Sequence, residues 1–412
     1  MTDLATAAPT TPPTASPMFA GNAGAVDGSP ASPRSLRHLD AFDGLRGLAF
    51  LMVFVAHAAW LPRYQIGPVA MYLFFALSGF LIASQLVSEQ ARTGVVNLVQ
   101  FYQRRAVRLL PALVTLLGIW LLVVAICHNE AWMTSVPGGA DTSGGQGIGP
   151  ALRGVGGALV YTTNWFDVAS LYGGRFPLGH LWSLSVQEQF YLLWVPVMIF
   201  LLVKRPRWVI PVALIVSAAS LVEAVWMMQA NVLSIRVYMA TDTRAASLVL
   251  GCALAVLWAN RRTLFVARPV VGAAFSAVSV IALAWCLKAL GHPYTSAERS
   301  LAWVVATLAG VAAILSIIER PRSMASRLLS RRLMVWVGTR SYALYLWHYV
   351  WLTWFHGFGL LGTFMALAAS LVCAELSWRF IESKAIAWGK RRRTAQAAVP
   401  RAAGHEAYAT SR

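Results

Sequence analysis

Of 412 residues, 58% are hydrophobic and only 12% charged, far below the roughly one-quarter charged content of soluble domains. That balance excludes an ordinary soluble globular enzyme and implies a polytopic membrane protein. The net charge of +18 would suit a nucleic-acid binder, but the basic residues fall in loops between apolar runs, where they record topology rather than a polyanionic partner. No nucleic-acid partner is therefore expected. The four cysteines, Cys127, Cys252, Cys286 and Cys373, lie in or beside apolar runs. Their spacing matches neither a disulfide framework nor a metal site, so they are expected to be small core residues.

Residues 1–38 are rich in Ala, Thr, Pro, Ser and Gly without an apolar stretch, which predicts a disordered tail. Lacking a basic start and an apolar core, this tail is not a signal peptide, and the first span is expected to direct insertion. Ten apolar runs near the bilayer-spanning length of about 20 residues follow. They lie around 43–60, 68–87, 109–127, 186–203 and 208–228, then around 245–259, 267–287, 300–318, 341–356 and 359–378. The fold class expected is an all-α membrane helix bundle of about ten transmembrane helices spanning 39–384, with a basic tail over 385–412. An even number of spans puts both termini on one side. With the N-terminus inside, 26 of the 34 Lys and Arg residues fall on the cytoplasmic side and seven outside, Arg46 lying within the first span. The positive-inside rule thus predicts an integral cell-membrane protein with both termini cytoplasmic.

The first span, "FDGLRGLAFLMVFVAHAAW", carries Arg46 near its inner end and His57 near its outer end. Eleven helical residues return within about 20° of the start, so both share a face, separated by roughly 16 Å along the axis. Ionisable groups in a bilayer are costly and mark functional sites. His57 is the candidate general base, because a neutral imidazole accepts a proton from a hydroxyl. Arg46 is a candidate anion-binding charge and also lies three residues from Asp43, a helix-surface pairing distance. In "FYQRRAVRLLPAL", Arg104 and Arg108 share a helix face with Arg105 beside them, a geometry suited to phosphate oxygens as well as to topology.

A single long loop, about 131–184, begins Gly-rich and ends in "HLWSLSVQEQFY". Ser183 or Ser185 is expected to cap the fourth span in a capping-box pattern. The polar triplet Gln187, Glu188 and Gln189 enters that span and needs a polar cavity to be affordable. From there Glu188 or His180 could orient or charge-balance His57. Asp242 and Arg244, in "TDTRAASLVLG", read as a local ion pair at a helix start. In "GTRSYALYLWHYVW", Ser341, Tyr345 and His348 follow a one-face spacing, with Tyr342 nearby, forming either a polar cavity wall or interhelical hydrogen bonds. The sequence holds no Walker loop, dinucleotide fingerprint or His-Glu-x-x-His motif, so neither a metal nor a bound cofactor is expected.

The Arg–ten residues–His pairing resembles the first-helix motif of the acyltransferase 3 membrane family. So do "FFALSGFLIA", "YQRRAVRLLP", "HLWSLSVQEQFYLLW", "DTRAASLVLGCALA", "GTRSYALYLWHYVW" and "WRFIES", in the family's order and over roughly 39–384. The resemblance implies a ten-helix fold and transfer of an acyl group, acetyl by expectation, from acyl-CoA to a hydroxyl. The acceptor it implies is a carbohydrate, glycolipid or secondary metabolite such as a macrolide. It implies catalytic roles for His57 and Glu188, and donor binding by Arg46, Arg104, Arg105 and Arg108. His180, Ser183, Tyr342 and His348 are expected on the acceptor side, and Ser78 and Gly79 match a small-residue turn. Family members often read "SVEEQFY", whereas Gln187 here replaces the first acid, leaving Glu188 alone. Many members carry a further esterase-like domain; here the membrane unit is expected to complete the reaction or to hand its product over. The rival expectations are a transporter or flippase for lipid-linked sugars or small anions and a scaffold whose polar groups only glue helices together. The oligomeric state is not legible.

Overall fold

The computed structural model describes residues 39–58, 66–127, 148–169, 178–232, 234–260, 269–289 and 295–398. The expected tail 1–38, most of the Gly-rich stretch and the end of the basic tail lie outside them. Every regular element among the described residues is helical. The first three helices are α1 (Asp40–His57), α2 (Ile66–Thr93) and α3 (Leu98–Cys127). Within the long loop lie α4 (Ile148–Leu159) and the short α5 (Thr163–Val168). A 3-10 turn, Gly179–Leu181, leads into α6 (Trp182–Lys204), followed by α7 (Val209–Gln229), the short α8 (Ser234–Met239) and α9 (Thr241–Ala259). Next come α10 (Pro269–Ala289), α11 (Ser296–Glu319), α12 (Met324–Leu329), α13 (Arg332–Thr339) and α14 (Ser341–Trp354). The chain closes with α15 (Gly359–Ser377), a π-helical turn at Trp378–Glu382 and α16 (Ser383–Ala398).

Each of the ten expected spans is a helix. Seven helical segments are long and apolar enough to cross a bilayer, which makes this an all-α polytopic bundle. The other three fall short for separate reasons. In α1, Asp40, Asp43 and Arg46 interrupt the apolar run. In α10 the apolar part among the described residues covers only Ser276–Cys286. The 14 residues of α14 rise about 21 Å, less than the roughly 30 Å hydrocarbon thickness.

Small residues set the close packing. A Cβ on Gly79 of α2 would lie 1.9 Å from the Leu248 carbonyl oxygen of α9, and one on Gly251 would lie 2.1 Å from that of Ala76. The two backbones therefore touch, the arrangement that small residues permit between membrane helices. The same device seats α1 on the α12–α13 hairpin: a Cβ on Gly338 would meet the Asp43 carbonyl oxygen at 1.7 Å. Around these contacts Phe75, Phe80, Val186, Val195 and Met198 form a buried core shared by α2 and α6. Cys252 and Cys286 are buried and free and Cys373 is half-buried and free, as expected of packing residues; the Cys127 side chain lies outside the description.

Candidate functional site

The last turn of α1 brings His57 against α14. Its Nδ1 lies 3.0 Å from Nε2 of His348, a side chain with no solvent exposure. The other nitrogen of His348, Nδ1, lies 2.7 Å from the Tyr345 carbonyl oxygen. A carbonyl only accepts, so His348 carries its proton on Nδ1 and presents a bare Nε2. His57 must then donate from Nδ1, which leaves its own Nε2 unprotonated. The pair thus fixes one tautomer of His57, with the lone pair that a general base needs on the nitrogen away from His348. His57 is half-buried.

His180, at the 3-10 turn before α6, completes a histidine cluster. Its ring centroid lies 5.3 Å from that of His348 and 5.0 Å from that of Tyr349, and its Nε2 lies 3.3 Å from the Leu346 carbonyl oxygen. Tyr345 donates to the His180 carbonyl oxygen, and its hydroxyl shares a 2.7 Å hydrogen bond with Ser183. The rings of Phe50 and Phe54 from α1 pack against His348. Histidines from three separated stretches therefore meet in a dry aromatic setting.

At the opposite end of α1 the surroundings are polar. A cavity of about 810 Å³ is lined by Arg46, Arg92, Arg104 and Arg108, by Asp43 and Glu89, and by Trp378 of the π-helical turn. Arg46 pairs with Asp43 at 2.8 Å and Arg104 with Glu89 at 2.9 Å. Arg108 is exposed to the cavity. Four arginines against two carboxylates leave the lining cationic, which favours an anion with several oxygens. His57, at the other end of α1, is not part of this lining.

Several expected residues sit elsewhere. Arg105 does not line the cavity. Its Nε lies 2.8 Å from both carboxylate oxygens of Glu188 and its Nη2 2.5 Å from one of them, with the guanidinium 3.8 Å over the Tyr191 ring. Glu188 is therefore occupied in joining α3 to α6, and the partner of His57 is His348 instead. Gln187 donates to the hydroxyls of Ser78 at 2.6 Å and Tyr191 at 2.7 Å; a carboxylate there has no hydrogen to give. Gln189 ties α6 to the loop helices through Asn164, Tyr161 and Trp165. The polar triplet is thus satisfied by protein partners rather than by a cavity. Ser183 and Ser185 do not cap α6, which starts at Trp182 with no side-chain cap; the capping box occurs at Thr295 and Glu298 of α11. Tyr342 donates to the Leu109 carbonyl oxygen at 2.8 Å, bracing α14 on α3. Asp242 pairs with Arg236 at 2.6 Å, not with Arg244.

A family profile described as an acyltransferase domain matches residues 39–376. The chain belongs to the acyltransferase 3 family. Among curated proteins, it is 31% identical over 360 residues to the O-acetyltransferase OatA of Staphylococcus aureus strain NCTC 8325, covering 82% of this chain and 56% of that protein. It is also 31% identical over 360 residues to the peptidoglycan O-acetyltransferase OatA of Listeria monocytogenes, covering 82% of this chain and 54% of that protein. A putative O-acetyltransferase of Staphylococcus aureus strain COL is 28% identical over 357 residues, with 82% and 56% covered. The chain spans about half the length of these curated relatives. No solved structure matches. Within this acyltransferase 3 chain, sequence reasoning missed Arg92, which looks like an ordinary topology charge until α2 turns it into the cavity.

Proposed function

We propose that the protein is an O-acetyltransferase that takes an acetyl group from acyl-CoA and delivers it to a hydroxyl of a carbohydrate or glycolipid acceptor. The observation that carries this reading is the tautomer lock at His57, which leaves an unprotonated Nε2 beside aromatic walls at one end of α1. The cationic cavity at the other end supports acyl-CoA as the donor. Arg46, Arg92, Arg104 and Arg108 suit its phosphates, and its pantetheine arm is long enough to carry a thioester along α1 toward His57. The Arg46 end is cytoplasmic in this proposal, as the charge distribution favours, and the acceptor arrives from the opposite side.

In the transfer step His57 Nε2 takes the proton of the acceptor hydroxyl while that oxygen attacks the thioester carbonyl. The C–S bond then breaks, and the CoA thiolate leaves with the proton returned by the His57 imidazolium. His348 accepts from the protonated ring throughout and holds it in place. Two relatives are named simply as O-acetyltransferases and one as a peptidoglycan O-acetyltransferase, which favours an acetyl group and a cell-wall glycan over a secreted metabolite.

Purified protein given acetyl-labelled acetyl-CoA tests the reading. It should release CoA in proportion to added glycan acceptor and move the label onto that acceptor. If a full set of cell-envelope glycans draws out no CoA, acyl transfer from this donor is wrong, and the transporter reading takes its place.

A further inference from the structure

Arg244, in the first turn of α9, is the largest fully buried side chain among the described residues, at 1% exposure. Its guanidinium carbon sits 4.2 Å from the Trp303 ring centroid, 4.4 Å from Tyr238, 5.1 Å from Tyr72 and 5.7 Å from Trp182. Its Nε donates to the Tyr238 carbonyl oxygen at 2.7 Å. Nη1 and Nη2 have no hydrogen-bond partner, and neither does the hydroxyl of Tyr72. Asp242, the nearest acid in sequence, is held by Arg236 through two hydrogen bonds of 2.8 and 2.6 Å. Among the described residues no carboxylate forms an ion pair with Arg244.

A buried cation without a counter-ion is among the costlier arrangements in a membrane protein. The aromatic rings offset part of the cost, because a guanidinium is attracted to π faces. They do not serve its N–H groups, which point outward in its plane as a fork shaped for two oxygens. Tyr72 adds a third donor without an acceptor. One group with two or three acceptor oxygens and a negative charge would serve all of these donors. The location ties these donors to the histidines. Trp182 of the cage is two residues from His180, and Ser183 beside it bonds to Tyr345, which bonds to His180.

We propose that Arg244 and Tyr72 form an oxyanion site for the acceptor, binding a carboxylate or phosphate that it carries and so placing its hydroxyl toward His57. This rests on the acetyl-transfer reading for its purpose, but not for its chemistry. The ligand class is an acidic sugar or a sugar phosphate rather than a neutral glycan, and entry requires one ring of the cage to turn aside.

Binding to the detergent-solubilised full chain tests it without turnover, using glucuronate, glucose 6-phosphate and neutral glucose as probes. Saturable thermal stabilisation is expected from at least one of the two anions and none from glucose, and which anion binds tells carboxylate from phosphate. Tyr72→Phe keeps the ring and should weaken that binding about fivefold; Arg244→Lys, which keeps the charge but loses the fork, should weaken it at least tenfold. Equal stabilisation by sulfate in wild type and both variants would mark an adventitious ion only and overturn the site, as would indifference to both anions. Loss of CoA release with anion binding intact would instead count against the acetyl-transfer reading alone.

Discussion

The two ends of α1 solve opposite physical problems with the same helix. At Arg46 the helix faces a wide cavity where arginines outnumber carboxylates, so positive charge is in excess there. At His57 the surroundings are rings, and hydrogen bonds run from His57 to His348, from His348 to the Tyr345 carbonyl and from Tyr345 to His180 and Ser183, while Nδ1 of His180 has no partner. A wide cationic chamber can hold a bulky anion without fixing its orientation closely. A dry hydrogen-bonded cluster holds one proton position and little else. The comparison assigns affinity to one end and proton transfer to the other, and each assignment can be broken separately.

The largest effect should come from the dry end. His57→Ala is expected to lower kcat by 10²- to 10⁴-fold, the usual contribution of a positioned general base, with the dissociation constant for CoA unchanged. His348→Leu retains His57 but removes the acceptor that fixes its tautomer, and should lower kcat by roughly 10- to 100-fold. Steady-state kinetics beside CoA binding by calorimetry distinguishes the two ends. If His57→Ala weakened CoA binding as strongly as it slowed turnover, the division of labour along α1 would be wrong.

Two neighbouring arginines of α3 sharpen the contrast at the other end. Arg108 is exposed to the cavity, so Arg108→Ala should raise KM for acetyl-CoA about tenfold, the loss of one charge-assisted contact, with kcat and stability little altered. Arg105 is spent on Glu188, with only 18% and 13% of the two side chains exposed. Arg105→Ala should leave KM for the donor unchanged and destabilise the fold by about 3 kcal/mol, because the carboxylate loses its counter-ion. Replacing both partners with apolar residues should recover most of that stability. Thermal unfolding in detergent beside donor kinetics would show whether the two arginines exchange roles.

Much of this arrangement was legible before the fold was known. Run length and the distribution of charge gave the all-helical bundle, and the eleven-residue interval gave a helix with a cation and an imidazole on one side. His348 was visible as a polar residue on the ninth span, but not as the partner of His57, since 291 residues separate them. Contacts of that range depend on which helices become neighbours, and that in turn depends on glycine contacts such as Gly79 on Leu248, invisible to periodicity. The same limit explains Arg104, Arg105 and Arg108. Their shared identity suggested a shared task, whereas only Arg104, which also pairs with Glu89, and Arg108 line the cavity, and Arg105 is held by Glu188. Arg244 misled for a local reason, because Asp242 two residues away offered a nearer partner on paper than the aromatic cage built from four other stretches of chain.

Tyr342 carries the smallest predicted effect and tests how far the polar face of α14 belongs to the site. Spacing places it near Tyr345 and His348, which suggests contact with the acceptor. Its hydroxyl instead reaches α3, donating to the Leu109 carbonyl oxygen two residues before Pro111, the proline inside that helix. Tyr342→Phe keeps the ring and loses one hydrogen bond, so stability should fall by about 1 kcal/mol. Acceptor KM should not change, since the side chain is committed to bracing rather than binding. Tyr345→Phe is the matching control on the same helix: it removes the hydroxyl bonded to both Ser183 and the His180 carbonyl and should lower kcat as well as stability. Should Tyr342→Phe alter acceptor KM while Tyr345→Phe leaves kcat untouched, the functional face of α14 would have to be turned toward α3, and the histidine cluster would lose its claim to the reacting hydroxyl.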